Sequence, residues 1–348
     1  MEISSLDGPP LLLALDHLSK VGEVRRSAQS LAGRLGFDEQ DQGRLALVLT
    51  EAANNAIHHG GGGEIVLRPM INAISGVEAL VVDNGPGMAD LDRALRDGFS
   101  TAGTPGTGLG AVARLSDQFD IYSAAGAGTV LLIRVWPRAT DRAAELRTMS
   151  LEAGTVCLPH PRESACGDAW AMKPVGNQVL LIVADGLGHG PDAAAAAEEA
   201  IRIFRESRAT APADLLGEIH AALRSTRGAA VAVAALDRPR GEIRYAGVGN
   251  IAASIVSGDE SRSMVSHNGT LGHEVRKIQE FQYLWRPEAL VIMQSDGLQT
   301  HWKLDRYPGV TARDPAVIAG LLYRDFSRRR DDVTVLAVRE NHRERAAR

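Results

Sequence analysis

The sequence predicts an α+β protein built as two successive domains, and three observations carry that expectation. Its 348 residues, at about 150 per domain, exceed what one ordinary core organises. Amphipathic helical segments and short apolar strand-like runs alternate through both halves, so each half reads as packed α and β layers. Between residues 138 and 152 the texture changes, from a strand-like run over 130–136 to Pro137-Arg138-Ala139-Thr140-Asp141-Arg142 and then a stretch with no strong period. The expected organisation is a domain over 10–137, a linker over 138–152, a second domain over 153–340 and a basic tail over 341–348.

In the first half, residues 18–35 read as an amphipathic helix. Residues 38–59 read as a second helix, stopped by the glycine run that begins at Gly60. Strands are expected at 65–68 and 79–82, a short helix at 110–116, and a closing antiparallel pair at 119–122 and 130–136 around Gly126 and Gly128. The second half reads as strands at 178–184, 230–236, 243–248, 290–294 and 333–338, with helices at 192–207, 212–224 and 315–328.

Composition excludes several classes. The chain is 45% apolar and 23% charged, which excludes a mainly disordered protein. Aromatics are only 4%, so Ala, Val, Leu and Ile must build the cores. With 38 basic and 43 acidic residues the net charge is −5, which leaves no footprint for nucleic acid. The basic stretch 339–348 reads as a solvated end. Two cysteines, Cys157 and Cys166, make neither a disulfide framework nor a zinc site and suit a reducing compartment. Residues 1–17 lack the basic start of a signal peptide, and no run reaches the roughly 18 apolar residues of a membrane span. A cytoplasmic protein without nucleic-acid or membrane partners is expected; its oligomeric state, homo-oligomer included, is left open.

Three segments of the first half carry phosphate chemistry. Glu51 and Asn55 lie four apart on the second helix and so share a face, a carboxylate beside an amide oxygen. That pair suits one base and one hard-cation ligand, though alone it also reads as an exposed polar pair. Leu80-Val81-Val82 runs into Asp83-Asn84-Gly85-Pro86-Gly87, where a strand-end carboxylate is followed by spaced glycines that let a ligand approach the backbone. Gly106-Thr107-Gly108-Leu109-Gly110 then leads into a helix, an arrangement suited to anions.

In that order the three segments resemble the GHKL (Bergerat) ATP-binding superfamily, and within it the anti-sigma-factor serine kinases of the RsbT and RsbW type. Thr50-Glu51-Ala52-Ala53-Asn54-Asn55-Ala56-Ile57 resembles the N-box of that branch, and residues 117–121 the segment after its last glycine box. The resemblance implies an α/β sandwich in which Asn55 holds Mg²⁺ on the ATP phosphates and Asp83 accepts from the adenine amino group. It implies that Gly85 and Gly87 shape that pocket and that Gly106, Gly108 and Gly110 meet phosphates. It also implies a lid over 90–105 and Glu51 as base on an acceptor hydroxyl. Asn54 duplicates the amide one residue early but points off the Glu51 face. A histidine kinase would need a helical hairpin carrying its phosphoacceptor, and only one helix precedes Asp38; His58 and His59 read as structural.

The second half places acidic residues at the ends of three apolar strands, Ala184-Asp185-Gly186, Ser295-Asp296-Gly297 and Asp331-Asp332, with Gly167-Asp168 upstream of them. Each alone reads as a turn. Converged, such carboxylates repel unless cations neutralise them, and oxygen-only donors suit Mg²⁺ or Mn²⁺. Two ions sharing a water can aim it at a phosphoryl group. The pattern resembles the protein phosphatase 2C fold, an α/β/β/α sandwich, in its bacterial SpoIIE, RsbX and RsbU branch. The resemblance implies two Mg²⁺ or Mn²⁺ ions, with Asp185 bridging them and the Gly186 carbonyl on one. Asp296 and Asp331 would ligate the other, and Asp168 would act through waters or a weaker third ion. Asp331 is favoured over Asp332 as ligand. Larger eukaryotic members place a proposed acid, His, where this chain has Leu187; His189 lies nearby and reads as structural, Asn250 as a weak candidate for shaping the site, and Cys166 as a small buried residue.

Together the resemblances imply a bifunctional enzyme, a serine kinase joined to a serine/threonine phosphatase. It would act on a small STAS-domain phosphoprotein, in the resembled systems an antagonist controlling a sigma factor or another output. The alternative keeps the phosphatase and makes the first domain an ATP-dependent docking module without significant kinase activity. Glu51 favours the kinase, because a pure binder has no use for a base beside the cation ligand.

Overall fold

The structure, a computed structural model, describes residues 3–5, 8–71, 75–95, 108–138 and 151–341. The chain divides into two units, Asp7–Thr148, and Met1–Leu6 with Met149–Arg348. Strand β1 (Ile3–Ser4) therefore belongs to the second unit although it opens the chain.

The first unit runs β2 (Leu11–Ala14), α1 (Ser19–Arg34), α2 (Glu39–His58), β3 (Glu64–Met70), β4 (Gly76–Asp83), α3 (Leu91–Ala94), α4 (Gly108–Leu115), β5 (Gln118–Ser123) and β6 (Thr129–Val135). Asp38 starts α2 by accepting from the Asp41 amide at 2.8 Å. Along α2, Leu45, Val48, Leu49, Ala52, Ala53 and Ala56 recur at helical spacing and are buried. They pack with Val24, Ala28 and Leu31 of α1 against Ile65, Leu67, Val81 and Ile133 of the sheet. That antiparallel sheet has the order β2-β3-β4-β6-β5, so helices lie on one of its faces in a two-layer α/β sandwich. Alternation sends Glu78 to the other face, between Arg68 (2.5 Å) and Arg134 (2.6 Å). Burial alone would raise the Glu78 carboxyl, but the two guanidinium groups outweigh it and hold the group down at about 2.

The second unit contains β7 (Leu151–Leu158), β8 (Asp168–Val175), β9 (Gln178–Gly186), α5 (Pro191–Glu206), α6 (Pro212–Ala222), β10 (Ala229–Asp237), β11 (Glu242–Val248), β12 (Ala252–Ser257), β13 (Glu260–Met264), β14 (Phe281–Leu284), β15 (Leu290–Gln294), α7 (Pro315–Phe326) and β16 (Val333–Glu340). Two antiparallel sheets form, β1-β8-β9-β10-β11-β14 and β13-β12-β15-β16-β7. Their inner faces share one core, Trp170, Leu181, Val183 and Tyr245 against Ile255, Val291, Met293 and Leu336. Ala197, Ile201 and Phe204 of α5, with Leu215 of α6, cover Leu180, Ile182 and Val231 on the outside of the first sheet. On the second sheet α7 approaches so closely that a Cβ on Gly154 of β7 would stand 1.9 Å from the Ala316 nitrogen. The layers are α/β/β/α, as the resemblance implied.

Several elements differ from the sequence expectation. The helix expected at 110–116 begins at Gly108, so Gly108 and Gly110 sit in its first turn rather than in a loop. Strand β7 begins at Leu151, inside the expected linker; residues 139–150 of that linker and 342–348 of the tail lie outside the described residues. Strands β1, β2, β8, β12, β13 and β14 gave no usable local signal: β8 is Ala-Trp-Ala-Met-Lys-Pro after its aspartate, and β13 is polar. Among the described residues no helix is long and apolar enough to cross a membrane.

Candidate functional site

Each unit gathers one group of the expected residues. In the first, one helical turn separates Glu51 from Asn55 on α2, and both face the start of α4. A Cβ on Gly108 would lie 3.3 Å from Asn55 Oδ1 and 3.7 Å from Glu51 Oε2. The start of α4 thus stands beside a carboxylate and an amide. Asp83 ends β4, is 7% exposed, and accepts from the Gly85 amide at 2.9 Å. The loop after it is fixed to the β5–β6 hairpin: Gly128 N–H donates to Gly85 O, Gly126 N–H to Pro86 O, and Met88 N–H to Ser123 Oγ.

Gly60 is a site residue that the sequence offered only as a helix stop. A Cβ there would stand 2.6 Å from Asp83 Cγ, and one on Gly85 would stand 2.5 Å from Gly60 Cα. The glycine run therefore lets the Asp83 loop close against the end of α2. The signal available was its position, directly after the Glu51–Asn55 helix. Gly106 and residues 96–105 of the expected lid lie outside the described residues.

Gly87 needs its missing side chain twice over, with φ at +64° and a Cβ position 2.0 Å from Ala124 O. Gly87→Ala is therefore expected to destabilise the first unit by at least about 1–3 kcal/mol, the cost of an L-residue in left-handed backbone. Urea unfolding of the full chain measures it; an unchanged midpoint would contradict the packing described.

In the second unit Asp168 and Asp185 are direct cross-strand partners on β8 and β9. Asp296 follows β15, and Asp331 and Asp332 precede β16. Ser295 ties the two sheets together at this point: its hydroxyl donates to Asp168 Oδ2 at 2.6 Å and accepts from the Thr334 amide at 2.9 Å. Asn250 Nδ2 donates to Asp296 Oδ2 at 2.6 Å, which places that weak candidate on the cluster. The His160 amide donates to Asp332 Oδ1 at 2.8 Å. His189 Nδ1 lies 2.9 Å from Glu163 Oε1, and its ring stacks on that of His160 at 4.6 Å. Ser295, His160 and Glu163 escaped sequence reasoning, because their partners are remote in the chain.

Burial dominates the electrostatics, and like charges at close quarters add to it. Burial first, then Asp168, Asp296, Asp331 and Asp332, push the Asp185 carboxyl up to about 9. Burial and the Asp332 charge raise Asp168 to about 8 against the opposing Ser295 bond. Asp296 is raised by burial and Asp331, and Asp332 by burial, against the His160 amide. Asp185 is the group that all four others repel, so it is central. Asp168 Oδ1 and Asp332 Oδ2 are buried with no hydrogen-bond partner. Among the described residues no three His, Cys, Asp or Glu side chains close around one point as a finished cage. Orphaned carboxylate oxygens at open spacing fit a hard cation such as Mg²⁺, which keeps several of its waters.

The raised carboxyls carry a sign. From about pH 4, where a free carboxyl ionises, to about 8–9, the folded chain binds more protons than the unfolded one. The stability of the cation-free protein therefore falls as pH rises through that window. Cations need the ionised form, so their stabilisation grows over the same range. The melting temperature of the second unit in chelator is expected to drop toward pH 8, and Mn²⁺ to restore more there than at acid pH. A profile flat in both respects would contradict the cluster.

Comparison with known proteins gives two family matches. The model of the histidine kinase-like ATPase domain matches residues 15–135, and that of stage II sporulation protein E (SpoIIE) matches residues 176–341. The serine/threonine-protein kinase RsbT of Bacillus subtilis (strain 168) is 36% identical over 116 residues, 33% of this chain and 87% of RsbT. A structure solved in work on the bacterial stressosome, a modular system adapted to control secondary messenger signalling, is 33% identical. It covers 55% of this chain and 100% of its own, with a TM-score of 0.51. The structure of RsbX in complex with magnesium is 20% identical over 55% of this chain and 96% of its own, at a TM-score of 0.47.

Proposed function

Since the chain belongs to the histidine kinase-like ATPase family through its RsbT-like first domain and to the SpoIIE, protein phosphatase 2C-like family through its second, we propose that it is a bifunctional switch enzyme. It sets the phosphorylation level of a serine on a small STAS-domain partner in the cytoplasm, adding phosphate from ATP with one domain and hydrolysing it with the other. The observation that carries the kinase half is the placement of Glu51 and Asn55 together against Gly108.

In the first domain Asp83 would accept from the adenine amino group, in a pocket shaped by Gly85 and Gly87. Gly106, Gly108 and Gly110 would line the phosphates, with Asn55 the protein ligand of their Mg²⁺. Glu51, on the same helix face, would take the proton of the partner's serine hydroxyl as it attacks. In the second domain Asp185 would bridge two Mg²⁺ or Mn²⁺ ions, with the Gly186 carbonyl, Asp296 and Asp331 as further ligands. Bound there, the ions would acidify a water and offset phosphoryl charge. Asp168, clamped by Ser295, would orient ion-bound water, and Asn250 would fix the rotamer of Asp296. Asp332, held by the His160 amide, would support Asp331.

The test is incubation of the full chain with labelled ATP, divalent cation and a small STAS-domain protein. Label should appear on the partner and decay once ATP is exhausted. A partner that binds the chain and ATP yet never carries label would replace the kinase with a docking module.

A further inference from the structure

Resting on the phosphatase reading above, the geometry points to His189 as the acid that protonates the departing serine oxygen, with Glu163 as its positioning residue. The residue after Asp185-Gly186 is Leu187, 57% exposed and unable to donate a proton. Two loops supply what it lacks. Residues 187–190, between β9 and α5, carry His189; residues 159–167, between β7 and β8, carry His160 and Glu163.

These loops are held against the acidic cluster and against each other. The His160 amide bonds Asp332, and its Nδ1 accepts from the Arg162 amide at 3.1 Å, which fixes the His160 ring. The His189 ring lies nearly parallel to it, 14° off, at 4.6 Å. Glu163 is placed by its own amide donating to His160 O, and its carboxylate meets His189 Nδ1 at 2.9 Å. Gly190, with φ at +79°, has its Cβ position 3.0 Å from that carboxylate, so bare backbone there admits Glu163. A carboxylate on Nδ1 sets the tautomer and orientation of an imidazole and leaves Nε2 as the atom that exchanges a proton. The His189 side chain is 53% exposed, so a phosphoprotein arriving from solvent can reach it.

The step balances with solvent alone. A water oxygen bonds to phosphorus as the phosphorus–Oγ bond breaks, and the Nε2 proton passes to Oγ. Serine and inorganic phosphate leave, and the neutral imidazole regains its proton from water.

The experiment uses the full chain with Mn²⁺ and two substrates, a phosphoserine peptide, whose alkoxide must be protonated to leave, and p-nitrophenyl phosphate, whose phenolate leaves without a proton. His189→Asn should lower kcat on the peptide by about 10²-fold or more, with a far smaller loss on the aryl ester. Glu163→Gln should shift both in the same direction but less. Calorimetric Mn²⁺ affinity should match the parent in both variants. In the metal-free chain, Glu163→Gln should move the His189 Nδ1 resonance in ¹⁵N spectra. Equal losses on the two substrates, or none, would overturn the acid role, as would a His189 signal indifferent to Glu163. A parent that hydrolyses neither substrate would overturn the phosphatase reading and this inference with it, whatever the spectra show.

Discussion

Asp185→Asn in the full chain is expected to abolish phosphoserine hydrolysis while leaving nucleotide binding intact. Asp185 is the carboxylate that Asp168, Asp296, Asp331 and Asp332 all repel, so it is central to the acidic cluster and to the cation site proposed there. Substitutions in groups that merely support a metal ligand cost about 10–100-fold; loss of the proposed bridging ligand should exceed that. The same change has an opposite effect on the empty site. At about neutral pH the raised Asp185 carboxyl must take up a proton to sit in the empty site, a cost that asparagine does not carry, so the variant in chelator should melt higher than the parent. It should also lose the extra stabilisation by Mn²⁺. This pairing separates a lost cation site from misfolding, which would lower the melting temperature under both conditions. Near-parent hydrolysis would remove Asp185 from the site.

Glu51→Gln is expected to stop phosphotransfer and spare ATP binding. Glutamine keeps the length of the side chain and its helix propensity on α2 but accepts no proton, so turnover should fall by about 10²–10⁴-fold. Asp83, Asn55 and the α4 N-terminus remain, and nucleotide affinity measured by calorimetry should stay close to the parent's. Asn55→Ala should differ, losing Mg²⁺-dependent affinity as well as turnover. Parent-like transfer by Glu51→Gln would show that the base is another group.

What the sequence made legible was local. Helix α2 could be read because Asp38 caps it, apolar residues recur along one face and Gly60 stops it. Asp185, Asp296 and Asp331 could be read because each stands at the end or start of an apolar strand, whereas the strand that Asp168 opens left no such pattern. Contacts between remote segments were opaque. Strand β1 is two residues long and pairs with Ala171 and Met172 of β8, remote in the chain, so it leaves no local pattern. The glycine run from Gly60 looked like punctuation until Asp83 closed on it. Ser295 looked like part of a turn, yet its hydroxyl links β8 to β16 across the sandwich. His160 and Glu163 stood in a loop with no periodicity, and only the fold puts them beside Asp332 and His189.

Addition and removal of phosphate on one partner serine by one chain would be read from the time course of phosphate on a STAS-domain partner in ATP and Mn²⁺. Parent, Glu51→Gln and Asp185→Asn chains are compared. Asp185→Asn is expected to drive the partner to nearly full phosphorylation, Glu51→Gln to leave it bare and strip phosphate already present, and the parent to settle between them. A partner that binds all three chains but gains no phosphate from Asp185→Asn would contradict this expectation.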